Sequence, residues 1–215
     1  MVASDDARRR TRLNGAQNAS ASACWARDGD ACAPCARERT RASEVPLCDA
    51  HLRRGDDALR VVTHPTLGGK ILVAAVDLPK GYKSVYFGER KSWRACGRAG
   101  RDHAMHFRPR AGVIDPTPLG EGAQLQFMAN PGPNEVSNNR STNVFFGDAK
   151  CERGTIVGRE FILTKPVKRG EQLLQWYGAE WFASRNIKRL DVGCEEFPAD
   201  RKRARRALGD ATNAP

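Results

Sequence analysis

Hydrophobic and polar positions change character along the chain. Residues 1–22 show no period and lack large apolar side chains, so they read as a disordered arm. From residue 59 onward, short apolar or alternating runs take over: Val61-Val62, then residues 70–76, 83–88, 143–146 and 155–164. Turn signals separate them at His64-Pro65, Gly68-Gly69, Leu78-Pro79-Lys80-Gly81 and residues 165–170, so the pattern predicts a meander of strands. Residues 172–176 predict the last strand and residues 180–188 a short helix. Residues 89–110 are basic without a clean period, and His103 and His106 among them read as solvated side chains. Residues 112–127 carry two prolines and three glycines, and residues 131–142 form an irregular Asn/Pro/Ser-rich loop. The longest apolar run, residues 71–76, is far short of the roughly 18 residues of a membrane span, so no membrane role is expected.

Between the arm and the strands lies a different texture. Cys24, Cys32, Cys35, Cys48 and His51 offer five soft or borderline ligands for a four-coordinate ion. Zinc takes tetrahedral Cys/His shells, and ligands two residues apart let one tight turn supply two corners. Cys32, Cys48 and His51 belong to either grouping; the fourth ligand is Cys35 in a paired knuckle or Cys24 in a looser module. So short a segment cannot bury much of a core, and a metal would supply its folding free energy. The remaining readings are unpaired thiols or a redox Cys-x-x-Cys, and the latter lacks a surrounding βαβ pattern. The domain reading is therefore an arm over 1–22, a small Cys/His zinc-binding module over 23–57, a β-rich domain over 58–193 and a basic disordered tail over 194–215.

Charge adds a constraint. With 36 Lys and Arg against 25 Asp and Glu, the formal charge is +11, which suits a polyanion or a partner found close to one. Residues 201–206 form a basic cluster that reads as a nuclear-import or nucleic-acid patch, or as a plain solvated tail. No secretory signal, internal repeat or nucleotide-phosphate fingerprint is present in the sequence.

Four pieces now fall into an order. Leu78-Pro79-Lys80-Gly81 is followed by Val85-Tyr86-Phe87-Gly88-Glu89, then Gln126-Phe127-Met128-Ala129-Asn130, then Asn143-Val144, then Val167 to Tyr177 with Gly170-Glu171-Gln172-Leu173 inside it. In order and spacing they resemble the SET-domain lysine methyltransferases, over roughly residues 60–193. The resemblance implies a mainly β fold with short helices (α+β), made of several small sheets, with the C-terminal motif threaded against the Asn-motif loop. Departures are visible: Gln126 stands where the family has arginine, Asn130 needs a one-residue insertion, Gln175 replaces an aromatic, and only Cys194 follows the domain. The family's early Gly-x-Gly is represented by Gly68-Gly69.

The resemblance also implies a chemistry, transfer of a methyl group from S-adenosylmethionine to a lysine amine by in-line displacement. It assigns Tyr177 the hydroxyl at the transfer point and Tyr86 the lysine channel. Asn130 and the backbone of Gly68 and Gly69 would hold the cofactor, Asn143 would lock the loop behind it, and Trp181 would cover the adenine or the channel mouth. The plain alternatives are core packing for the aromatics and turn formation for Asn130. The implied partner is a protein with an exposed lysine, a histone tail first, with nucleic acid possible through the basic tail and a nuclear or else cytoplasmic location. A basic enzyme repels a basic tail unless acidic residues line its groove, and Glu89, Asp115, Glu121, Glu135, Glu171, Glu180, Glu195 and Glu196 are the candidates. The competing expectation is an inactive SET-like protein that binds chromatin or nucleic acid.

Overall fold

A five-stranded antiparallel sheet carries the larger part of the chain, in the computed structural model described for residues 23–29, 33–40, 43–66, 68–108, 112–131, 135–147 and 156–186. Its centre is β5 (Lys83–Lys91), with Val85, Tyr86, Phe87 and Gly88 buried in succession because both faces are covered. On one side β5 pairs with β9 (Ile156–Leu163), from Lys83↔Ile162 to Glu89↔Ile156. Beyond β9 lies β8 (Asn139–Phe146), and on the other side β7 (Gly112–Asp115) and β6 (Met105–Arg108) complete the order β6-β7-β5-β9-β8. Gly88 is needed at the β5–β7 contact, since a Cβ there would stand 2.4 Å from the Asp115 carbonyl.

A separate hairpin joins β3 (Leu59–Thr63) to β4 (Lys70–Ala74). Gly68 and Gly69 turn it at φ of +70° and +74°, the left-handed region glycine enters without cost. The Cys/His segment adds a two-residue pair, β1 (Arg27–Asp28) with β2 (Ala33–Pro34), and helix α1 (Asp49–Arg54), which Gly55 ends by donating its N–H to the His51 carbonyl. Two short helices remain, α2 (Arg98–His103) and α3 (Ala179–Ala183).

The expected β-rich fold of small sheets is present, with two differences in detail. Residues 172–176 form no strand. They make single bridges to three different neighbours, Gln172 to Val73, Leu174 to Ala129 and Gln175 to Asn139, and no neighbour is kept long enough to build a ladder. The terminal motif is thus threaded between β4, the 129–130 turn and the start of β8, as the resemblance implied. The second difference is the pair β6 and β7, in a stretch whose period is too weak to read. Val113 and Ile114 are its only consecutive apolar pair between Gly112 and Asp115.

Two hydrophobic clusters result. One packs Leu72, Phe107, Ile114, Phe161, Val167 and Leu173 under the sheet and hairpin. The other joins Cys24, Cys35, Cys48 and Leu52 of the Cys/His segment to Val85 and Phe87 of β5, so this segment is seated on the central strand rather than tethered to it. Asp56 fixes the seam: its carboxylate accepts from the Arg27 and Ala58 N–H groups and from the Tyr82 hydroxyl, while Gln124 bonds its backbone. No described helix is long and apolar enough to cross a membrane.

Candidate active site and metal centre

The threaded segment is held by scattered backbone bonds, such as Leu173 N–H to the Leu72 carbonyl and Gln175 N–H to the Ala129 carbonyl, both at 2.9 Å, and by two asparagines. Asn138, fully buried, donates from Nδ2 to the Gln172 carbonyl at 2.8 Å and accepts the Leu174 N–H at 2.8 Å. Asn130 accepts the Tyr177 N–H on its side-chain oxygen at 3.1 Å. A buried backbone N–H or C=O without a partner is expensive, so these amides hold a segment that no ladder satisfies.

Held this way, Tyr177 reaches a cavity of about 330 Å³ that Tyr86 enters from β5. Arg159, paired opposite Tyr86 in the sheet, lines the same cavity, with His103, His106, Asp102, Met128, Gln175, Trp176 and Trp181. Both hydroxyl protons are committed: Tyr177 donates to the Met128 carbonyl and Tyr86 to the His103 carbonyl. The two phenol oxygens keep their acceptor capacity. Burial pushes the Tyr177 phenol up to about 12. Tyr86 is also raised well above its ordinary value, by burial first and then by the nearby Tyr177 and Asp115. Neither is a phenolate at working pH. Trp181 stands edge-on to Tyr177 at 5.1 Å, with the Arg185 guanidinium 4.4 Å over its ring. Burial lowers the Arg159 pKa, and its guanidinium lies 5.0 Å over Phe145.

The other sequence-assigned residues lie elsewhere. Gly68 and Gly69 are exposed in the hairpin turn, outside the cavity lining, and a Cβ on either would meet open space. Asn143 is exposed on β8 and does not lock the loop; Asn138, five residues earlier, binds the threaded segment. Both lie in one Asn-rich stretch, and Asn143 is the one whose dipeptide Asn143-Val144 carries the family resemblance. His103 and His106 both line the cavity; His103 is half-buried with Nδ1 3.2 Å from the Gln126 carbonyl, and His106, on β6, is exposed. The proposed acidic strip does not converge: Glu89 and Asp115 pair with Lys91, Glu121 with Lys70, and Asp102 is the only carboxylate among the cavity's lining residues. Glu195, Glu196 and the basic cluster of 201–206 lie outside the described residues.

At the other end of the chain, Cys24, Cys35, Cys48 and His51 bring one ligand atom each within 4.8 Å of all the others, every residue buried. Cys24 and Cys35, the two alternatives for the fourth corner, both belong to this group; Cys32 lies outside the described residues. His51 Nδ1 is 3.4 Å from Cys24 Sγ and 3.2 Å from Cys48 Sγ. A tetrahedral zinc with bonds of about 2.3 Å to sulfur and about 2.0 Å to nitrogen needs an S···N distance of roughly 3.5 Å. The donor set therefore fits zinc in type and spacing. Beyond it, His51 Nε2 faces Asp28 at 3.9 Å, and Arg54 bridges the two, the outer support by which ligating histidines are oriented.

No protein-family model matches the sequence, and no curated protein matches it significantly. Solved structures do resemble it. The methyltransferase domain of human PR domain-containing protein 2 superposes with a TM-score of 0.43 at 21% identity, over 60% of this chain and 84% of that one. A candidate histone methyltransferase of Plasmodium falciparum gives 0.42 at 12% identity, over 58% and 96%. The SET domain of the RIZ1 tumor suppressor (PRDM2) gives 0.41 at 20%, over 60% and 76%.

Proposed function

We propose that the chain is a protein-lysine methyltransferase that uses S-adenosylmethionine, with a structural zinc module seated on its catalytic domain. The observation that carries this reading is the convergence of Tyr177 and Tyr86, residues of two distant motifs, on one cavity with their hydroxyl protons donated to backbone carbonyls. Histone tails are the first substrate class to test, and a nuclear location goes with them.

When bound, S-adenosylmethionine supplies a methyl group on a sulfonium, ready for displacement. The cavity's about 330 Å³ lies at the lower end of small-molecule sites, and its lining of Tyr86, Tyr177, Trp176 and Trp181 suits a cationic sulfonium, which aromatic faces attract. Trp181, in the cavity lining, and Asn130, outside that lining but bonded to the Tyr177 N–H, are the residues that would hold the cofactor. A lysine of pKa near 10.4 pays roughly 4–5 kcal/mol to enter as the neutral amine at pH 7. Neither phenol can take that proton, because both stay neutral, so it leaves to solvent before the amine enters. Arg159 then keeps it off, since a cation beside the channel disfavours the ammonium; it also repels the sulfonium, against which the aromatic faces work. The phenol oxygens accept the amine N–H groups and fix the direction of the lone pair. Holding two reactants in line is worth roughly 7–11 kcal/mol, so positioning is this chain's main contribution.

A specific observation favours a second reading, an inactive SET-like protein that binds chromatin or nucleic acid: Gly68, Gly69 and Asn143 lie outside the cavity, and Asn130 spends its side-chain oxygen on Tyr177. Calorimetric titration with S-adenosylmethionine separates the two. The enzyme reading predicts a saturable heat at micromolar protein, and no heat from the folded chain supports the scaffold.

A further inference from the structure

The connection between β5 and β6 carries an excess of exposed cations. Between residues 92 and 104 stand Arg94, Arg98 and Arg101 with one carboxylate, Asp102, which Arg185 engages at 3.4 Å. Lys91 is satisfied by Asp115 and Glu89. Arg94, Arg98 and Arg101 are exposed, and among the described residues none of their guanidinium groups forms an ion pair. Arg98 and Arg101 are three apart on α2, which places them on one face.

In the middle of these cations stands Trp93, 48% exposed, in a 3-10 turn whose cap is Ser92. An exposed indole costs hydration and is not needed for the turn, whose bond is made by Ser92. Nor is the indole loose: the His106 ring stacks on it at 6.5 Å and 17°, and the Arg101 guanidinium lies over it at 6.0 Å. An ordered, exposed aromatic beside exposed arginines is the pairing that single-stranded nucleic acid needs: a base stacks on the indole by displacing the Arg101 guanidinium, which turns with Arg94 and Arg98 to the phosphates. An acidic peptide would use the arginines and leave the indole idle. A duplex hides its base faces and would do the same.

We infer that Trp93, with Arg94, Arg98 and Arg101, forms a binding surface for single-stranded nucleic acid beside the mouth of the Tyr86/Tyr177 cavity. His106 belongs to both the stack and the cavity lining, so a strand bound here lies against that mouth. It would place negative charge where the protein has arginine, and so let a basic substrate segment approach. The surface stands whether or not the cavity transfers methyl groups.

The test is fluorescence anisotropy of a labelled single-stranded 12-mer against the full chain, Trp93→Ala, Trp93→Phe and Arg94→Ala/Arg98→Ala, each checked for native near-UV circular dichroism. Base stacking predicts about tenfold weaker binding for Trp93→Ala and near-normal binding for Trp93→Phe. Removing two phosphate contacts predicts a log K against log salt slope flatter by about 1.4. The same-sequence duplex and a polyglutamate peptide are expected to bind more weakly and to ignore Trp93→Ala. Binding by all variants at the level of the parent chain would place the contact in the basic tail and overturn the proposal. Loss with the arginine variant alone would overturn it too, in favour of an acidic protein surface.

Discussion

Asn138→Ala isolates what threads the terminal motif. The substitution removes two buried hydrogen bonds and leaves the Leu174 N–H and the Gln172 carbonyl without partners, in a place where no strand ladder can replace them. Each orphaned buried group costs roughly 1–3 kcal/mol, so the expected loss is about 2–6 kcal/mol, a large part of the roughly 5–15 kcal/mol of a typical domain. Urea unfolding followed by tryptophan fluorescence measures it. The transition midpoint should fall while the slope stays the same, because the surface exposed on unfolding is unchanged. By contrast, Asn143→Ala, at an exposed position, should stay within about 0.5 kcal/mol of the parent. If Asn138→Ala loses less than about 0.5 kcal/mol, the asparagine does not hold the motif and the account of the threading is wrong.

Three further outcomes follow from the same geometry. Stripping metal with a chelator should lower the thermal midpoint of the whole chain, not only of the Cys/His segment, because that segment packs on β5; a loss of about 4 kcal/mol corresponds to roughly 8–16 °C by calorimetry. A midpoint unmoved by chelation would remove zinc from the account. Gly88→Ala should destabilise by about 1–3 kcal/mol or more, since its Cβ meets the Asp115 backbone, and a chemical melt equal to the parent's would show that β5 and β7 are not packed as described. The Tyr177 phenol, raised to about 12, adds stability that is intact below the ordinary phenol pKa of about 10 and lost as pH climbs toward 12. Tyr86 is raised by burial as well, so ultraviolet difference titration should find at least two fewer tyrosinates forming near pH 10 in the parent chain than in the unfolded chain, and equal counts would contradict the burial.

The strands that sequence reading located, β3, β4, β5, β9 and the second half of β8, are those that contain a run of apolar residues. What it missed depends on contacts distant in sequence. β7 offers only Val113 and Ile114 as a run, and its place is set by pairing with β5. The segment of residues 172–176 has a strand's composition, yet its bridges go to three partners, which composition cannot reveal. For the site, Tyr86 and Tyr177 lie in motifs with fixed spacing, and they line one cavity with Trp181, which stands four residues beyond the last motif. Arg159 was not, since its place comes from cross-strand register opposite Tyr86, and Asn138 was hidden among neighbouring asparagines that differ only in burial. The Cys/His cluster was legible apart from Cys32, which lies outside the described residues, and both Cys24 and Cys35 belong to it where the spacing left one of them to choose.

Transfer of labelled methyl groups is the most direct measurement of the central claim. The folded, zinc-loaded chain and its Tyr177→Phe variant would be incubated with methyl-labelled S-adenosylmethionine and either histones or whole nuclear extract, and the acid hydrolysate analysed for N-methyllysine. The account predicts methyllysine from the parent chain and roughly 10–150-fold less from Tyr177→Phe, the weight of one hydrogen bond to a developing charge, with the heat of cofactor binding unchanged. Equal methyllysine from both proteins would refute the role of Tyr177. No methyllysine from a parent chain that is folded and zinc-loaded would contradict the claim of lysine methylation itself.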